Sequence, residues 1–262
     1  MNPLGKLLSL LAVVGIAGAT LAQNPPVSSS TTSPPQTEPA SGRGGRGGGG
    51  GSRGPNGMPT FGTDENAKLI FEEHWTNAAL TQPMKQENLG NQDLRLHLYG
   101  DIDGIRKTQH PTEDYTYTGE TRNNWMITVS DPANYFDLRV PGKMMLRTRN
   151  TGYRQTHIVV KTADGKWYAS EEGSGESSAW MNRDYILSDL HWRNLAMVDA
   201  PTGANPNRKP DPSRAVIVPT SVATPDLSKV DEIGFSDLMP GGFIPATTRV
   251  NSWAVYGKKV PR

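Results

Sequence analysis

An all-β sandwich is the fold this sequence predicts, and three observations predict it. From Lys68 onward, short runs with apolar alternation recur, and Gly, Pro, Asn or Asp punctuates most of the gaps. Helix signals are scarce, the best being one turn near Asp226-Leu227-Ser228-Lys229, where Pro225 and Asp226 suit a helix start. Residues 64–262 offer about 200 positions, enough for one sandwich-sized domain with a substantial interior.

Composition narrows the function before any motif does. The chain has 262 residues and a formal charge of +1, so net charge implies neither a nucleic acid nor an acidic membrane partner. It contains no cysteine, which removes disulfides, thiolate metal sites and cysteine nucleophiles together.

Taken in order, residues 1–22 carry Lys6, an apolar run from Leu7 to Leu21, and small residues at Thr20 and Ala22 ahead of Gln23. That pattern predicts a secretory signal peptide, because the run is short for a bilayer span and no basic stop-transfer cluster follows. A secreted or periplasmic protein with no stable membrane span after cleavage is therefore expected. Residues 23–63 turn to Pro, Ser, Thr and then Gly, with almost nothing able to bury apolar area, and predict a disordered tether. The Arg-Gly steps at Arg43, Arg46 and Arg53 resemble RNA-binding segments, but interleaved aromatics are missing, so no nucleic-acid partner is expected.

Strands are expected at Leu69 to Glu72, Leu94 to Tyr99, Trp125 to Val129, Tyr185 to Leu187, Trp192 to Val198, Ala215 to Val218, Glu232 to Phe235 and Val250 to Tyr256. Asp199 to Ser213, rich in Pro, Asn and Gly, reads as a long surface loop. Between them, Pro141 to Ser170 holds three alternating runs separated by Asn150-Thr151-Gly152 and Ala163-Asp164-Gly165, the pattern of a three-stranded antiparallel meander. Alternation sets Met144, Leu146 and Thr148 against Met145, Arg147 and Arg149, and Ile158 and Val160 against His157, Val159 and Lys161. One face of such a meander would gather Arg147, Arg149, His157 and Lys161 beside Trp167 and Tyr168; its plain alternative is a solvated outer surface.

Tyr135-Phe136-Asp137-Leu138 leading into Met144 to Arg149, and Asp226 to Phe235 followed by Trp253-Ala254-Val255-Tyr256-Gly257, share a pattern. After an opening Leu69-Ile70-Phe71-Glu72, it resembles the galactose-binding-like jelly rolls, in particular carbohydrate-binding modules and complex I intermediate-associated protein domains. The resemblance spans about Lys68 to Tyr256 and implies a jelly-roll β-sandwich. Leu227, Val230, Ile233 and Phe235 then read as residues pinning a turn and strand to the core, with Gly234 permitting close packing. The resemblance also implies at most a structural calcium, with Glu72 or Glu73 and Asn251 at comparable places; otherwise no cofactor is expected.

Catalytic patterns are weak. Asp101 and Asp103 lie in a turn bounded by Gly100 and Gly104, while Glu171 and Glu172 are adjacent and read as loop carboxylates. Ser174 in Gly173-Ser174-Gly175 lacks the nucleophile-elbow spacing and reads as part of a loop, and His74 has no histidine at helical spacing. Sugar binders combine a stacked aromatic ring with charged and amide side chains that hold hydroxyls. The candidate binding set is accordingly Arg147, Arg149, Tyr153, Arg154, His157, Lys161, Trp167 and Tyr168. Trp125, Trp192 and Trp253 sit in apolar strands and are assigned to the core; for Trp167 and Trp180 the choice stays open. The expected function is non-catalytic recognition of a poly- or oligosaccharide. The alternatives are a glycan hydrolase or lyase on the same scaffold, and a scaffold or assembly protein.

Overall fold

A computed structural model describes residues 68–109, 113–119, 123–139, 141–198, 216–239 and 246–262. The expected signal peptide, the tether and the loop at Asp199 to Ser213 lie outside these residues. Among them fourteen strands pair, every strand-to-strand ladder being antiparallel. They are β1 (Lys68–Glu73), β2 (Arg95–Gly100), β3 (Ile105–Gln109), β4 (Asp114–Thr118), β5 (Trp125–Ser130), β6 (Asn134–Asp137) and β7 (Lys143–Asn150). The second half holds β8 (Thr156–Thr162), β9 (Trp167–Ser174), β10 (Met181–Ile186), β11 (Trp192–Val198), β12 (Val216–Ala223), β13 (Val230–Asp237) and β14 (Thr248–Pro261).

The strands form a sandwich of two layers. In the first sheet β10, β7 and β14 lie side by side, and β1 and β4 share the far edge of β14, with β3 beyond β4. The second sheet runs β2, β5, β13, β8, β9, β11, β12. Strand β14 belongs to both, because Thr248 to Tyr256 pair with β7 while Lys258 to Pro261 pair with β6. It changes layers at Gly257, where a Cβ would lie 2.5 Å from the Asp137 carbonyl, so only glycine lets the two backbones approach this closely.

The main core lies between the layers and follows the alternation of the strands, while a second buried cluster of Met126, Val159, Ala169, Leu195 and Ile217, with Tyr99 and Trp167 packed against it, lies on the outward side of the second sheet. Met144, Leu146, Trp253 and Val255 point inward from the first sheet, and Trp125, Ile127, Ile158, Val160, Ile233 and Phe235 from the second, all at most 2% exposed. Trp253 bridges the layers, packing edge-on against Phe235 at 5.6 Å and against Phe71 at 5.0 Å. Trp125, Trp192 and Trp253 are buried as expected, and so are Leu227, Val230, Ile233 and Phe235. At Gly234 a Cβ would sit 1.9 Å from the Ile127 carbonyl, which accounts for the glycine between two core residues.

The expected meander is corrected by the pairing. β8 and β9 form a hairpin, but β7 pairs with β10 and β14 in the other layer. Residues 151–155 carry the chain over the end of the sandwich instead of closing a hairpin. Asn150 fastens that crossing, its amide bonding Thr156 Oγ1 at 3.1 Å and the Ser174 carbonyl at 2.5 Å. Face assignments within each strand hold, yet the two outward faces now look in opposite directions.

Smaller corrections follow from local bonding. Leu227 to Lys229 form a turn and no helix, with Asp226 accepting the Ser228 N–H at 2.9 Å. The short helices are 3₁₀ turns at Gln86–Asn88 and Leu187–Asp189. Glu171, Glu172 and Ser174 belong to strand β9, not to a loop: Glu171 pairs with Arg193 at 2.6 Å, Glu172 with His191 at 2.6 Å, and buried Ser174 bonds Thr148 at 2.7 Å.

Candidate functional site

The candidate residues fall into four places. Arg147 and Arg149 lie on the outer face of the first sheet, while His157, Lys161 and Trp167 lie on the outer face of the second. Tyr168 turns inward from β9 and is a core residue, 7% exposed, because alternation places it opposite its neighbour Trp167. Arg154 is buried under the crossing and forms an ion pair with buried Asp237 at 3.1 Å, so its charge is met within the fold. Tyr153 is 80% exposed at the tip of the same crossing.

On the second sheet the centre is Glu232, which is buried although it points outward from β13. Its Oε2 accepts from Thr128 Oγ1 at 2.6 Å and its Oε1 from Lys161 Nζ at 2.9 Å; the Tyr99 hydroxyl donates to both, at 3.0 and 3.1 Å. A bulge between Val230 and Glu232 breaks the strand's alternation, and Asp231 also reaches Lys161, at 3.4 Å. Arg262 closes the far side of Asp231 at 2.6 Å and covers the ring of Tyr135. Burial alone would lower the Lys161 pKa, but the Glu232 and Asp231 carboxylates outweigh it and raise it. The Tyr99 hydroxyl is pushed up, first by burial and then by Glu232. It stays protonated as a donor across the ordinary pH range.

Above this network lie two half-buried rings. Trp167 meets Tyr99 edge-on at 5.1 Å, and Lys161 Nζ sits 5.5 Å from the Trp167 ring centre. His157, four residues back along β8 from Lys161, donates from Nδ1 to the Ser170 carbonyl at 3.0 Å, and burial lowers its pKa, so it is neutral at pH 7. The strands fix all of these groups by register: Glu232 lies opposite Lys161, and Lys161 opposite Trp167.

The outer face of the first sheet is different in kind. Arg147 bonds Asn251 Oδ1 at 3.2 Å, reaches Glu113 at 3.4 Å and covers the Trp180 ring at 5.4 Å, while the Trp180 indole donates to the same Glu113. Arg149 stands directly opposite Arg249, which is opposite Tyr117, which is opposite Arg106. Both Arg106 and Arg249 approach the Tyr117 ring, at 5.0 and 5.5 Å.

Sequence reasoning missed Tyr99, Glu232 and Asp231 on one face and Arg106, Tyr117 and Arg249 on the other. Asp114-Tyr115-Thr116-Tyr117-Thr118 carried a readable signal, a β-branched and aromatic alternation. The bulge that brings Asp231 beside Glu232 carried none. The residues named for a calcium are otherwise engaged: Glu73 is buried and accepts the backbone N–H groups of Trp75, Gly90 and Asn91, and Asn251 bonds Arg147 and the Asp114 carbonyl. Among the described residues no three His, Cys, Asp or Glu side chains gather as a metal-binding group.

No family model and no curated protein matches the sequence. Among solved structures the chain is similar to a mutant of the family 29 carbohydrate-binding module CBM29-2 complexed with mannohexaose, at 11% identity and a TM-score of 0.40, covering 73% of this chain and 92% of that one. It is also similar to the family 11 carbohydrate-binding module of the cellulosomal cellulase Lic26A-Cel5E of Clostridium thermocellum, at 12% identity and a TM-score of 0.39, covering 74% and 95%. A third likeness, to the agarase AgWH50C, has 8% identity and a TM-score of 0.40, covers 74% of this chain and takes in only 25% of the agarase. What those proteins bind or act on belongs to them; the antiparallel sandwich of this chain stands on its own strand pairing.

Proposed function

We propose that this is an exported, non-catalytic carbohydrate-recognition domain whose sugar-binding surface is the outer face of the second sheet around Trp167, Tyr99 and Lys161. The observation that carries the reading is the pairing of half-buried aromatic rings with a pre-bonded polar network beneath them. A sugar ring presents apolar C–H faces edged by hydroxyls, and its binder needs an aromatic surface beside fixed donors and acceptors. Glu232 is held from Thr128, Lys161 and Tyr99, so Lys161 and Tyr99 are already oriented and little side-chain entropy is lost on binding. Positive and negative groups here balance, which favours a neutral ligand.

The test is affinity electrophoresis of the purified protein in a panel of neutral polysaccharides. Trp167→Ala is expected to weaken binding by about tenfold or more while the protein stays folded, and Trp167→Phe to retain part of the affinity. Full affinity in a folded Trp167→Ala variant overturns the location of the surface. Release of reducing ends from a bound polysaccharide overturns the non-catalytic part.

A further inference from the structure

We propose that the outer face of the first sheet is a second binding surface, electrostatic in character, for a polysaccharide bearing repeated carboxylate or sulfate groups. The inference is independent of the sugar surface on the opposite side. Its basis is one rung of the sheet, Arg149–Arg249–Tyr117–Arg106, spread over the four neighbouring strands β7, β14, β4 and β3. Arg147 adds a fourth guanidinium one rung along β7. Of the carboxylates described, Glu113 is the one paired with these arginines, through Arg147. Four arginines against that one glutamate leave a local charge of +3, in a chain whose total is +1.

Like charges directly opposite each other on neighbouring strands oppose folding, so the Arg149–Arg249 pair is one the fold tolerates without benefit. An anion lying across both would remove the repulsion and gain planar, two-pronged hydrogen bonds. Arg149 Nε is buried without a hydrogen-bond partner among the described residues, so the fold does not itself satisfy this guanidinium in full. The row is also preset, because the Tyr117 ring is approached by two guanidiniums and Trp180 by a third. With about 4.8 Å between strands, the guanidinium stems span roughly 14 Å, so the row suits a chain carrying several anionic groups better than a single small ion.

The occupied ring faces also separate the candidate polymers. Single-stranded nucleic acid gains affinity by stacking bases on free aromatic faces, whereas Arg147, Arg106 and Arg249 already cover those of Trp180 and Tyr117. A uronate or sulfated polysaccharide needs the guanidinium N–H groups and no free ring face.

The experiment titrates the full chain with polygalacturonate, dextran sulfate, uncharged dextran and a single-stranded DNA of matched charge, at low and at physiological salt. Binding to polygalacturonate or dextran sulfate and not to dextran is expected, and the tighter of the two shows whether carboxylate or sulfate is the natural group. The Arg106→Gln/Arg249→Gln double variant should lose at least tenfold and show a flatter salt dependence. The charge-matched Lys166→Gln/Lys258→Gln control, with both lysines exposed elsewhere, should stay within twofold. No binding to either anionic polysaccharide at low salt overturns the proposal, as does an equal loss in the control or tighter binding to the DNA. Loss or survival of neutral-sugar binding in Trp167→Ala leaves this outcome unaffected.

Discussion

The two outer faces of the sandwich use the same residue types in opposite ways. At the centre of the second sheet's outer face the charges are matched: Glu232 and Asp231 against Lys161, Asp231 against Arg262, and, nearby, Asp131 against Lys259. On the first, Arg106, Arg149 and Arg249 crowd one rung, where Arg106 and Arg249 share the Tyr117 ring and Arg106 also reaches the Gln82 amide oxygen at 3.4 Å. A matched network stiffens a surface and leaves it nearly neutral to an approaching ligand. An unmatched row leaves the surface charged and sensitive to salt. The difference teaches where stability and recognition are expected to separate: the second face should resist substitution because its polar groups depend on one another, and the first should tolerate it.

The largest effect should be one both faces share. Phe235 is buried and touches Trp125 and Trp253, so it joins the layers that carry the two surfaces. Phe235→Ala should cost about 3–5 kcal/mol in chemical denaturation. Binding on both sides should then disappear together. Survival of one without the other would show that the faces do not depend on a common core.

Glu232→Ala comes next and sharpens the contrast. It strips Tyr99 and Thr128 of their acceptor and leaves Lys161 with Asp231 alone, a loss of about 1.5–3 kcal/mol for hydrogen bonds to a charged group. Glu232→Gln, which keeps the shape and an acceptor, should recover part of it. A melt of Glu232→Ala indistinguishable from the parent would mean that the network is ornamental to stability.

A smaller, pH-dependent effect is confined to the second sheet. Burial lowers the His157 pKa below its ordinary value, against the opposing pull of the Ser170 carbonyl and of Asp237 and Glu172. A depressed pKa means that the unfolded chain takes up the proton first, so His157 contributes stability above about pH 6.5 that is lost as the pH falls toward its folded value. Exposed His191, raised by Glu172, has the opposite sign, its contribution being present at low pH and lost as pH rises through its folded value. His157→Gln should therefore flatten the fall in melting temperature on acidification, and His191→Gln should steepen it. Parallel curves for parent and His157→Gln would show that His157 titrates normally.

The fold was legible in sequence wherever period-two alternation ran uninterrupted, as in Met144 to Thr148, Trp125 to Val129 and Trp253 to Tyr256. The side of each of those residues follows from the strand alone, and the buried Trp253 and Ile127 obey it. The partner of a strand does not follow from the strand alone. β7 and β8 look like a hairpin because both alternate and a turn begins at Asn150, and only the bonding of Asn150 and Arg154 under the crossing shows that the chain changes layers. That single misplacement joined two unlike surfaces into one. The bulges at Asp231 and Asn251 were also illegible, since an inserted residue leaves no compositional mark and yet reverses which side chains meet.

Arg106→Ala should have the smallest effect on stability, and it isolates what the first face is for. The side chain is exposed on β3, and it contributes one cation–π contact to Tyr117, worth about 0.5–1 kcal/mol, and one long, exposed hydrogen bond to Gln82 at 3.4 Å that water can replace. Its removal also takes one like charge away from Arg249, which approaches the same ring from the neighbouring strand and gains room there. The two terms oppose each other, so the net change in unfolding free energy should fall within about 0.5 kcal/mol of zero. Added salt should move the melting temperature of the parent upward more than that of the variant, because salt screens a repulsion that the variant has already lost. A loss of several kcal/mol would mean that the arginine row is built into the fold and is not held there at its expense.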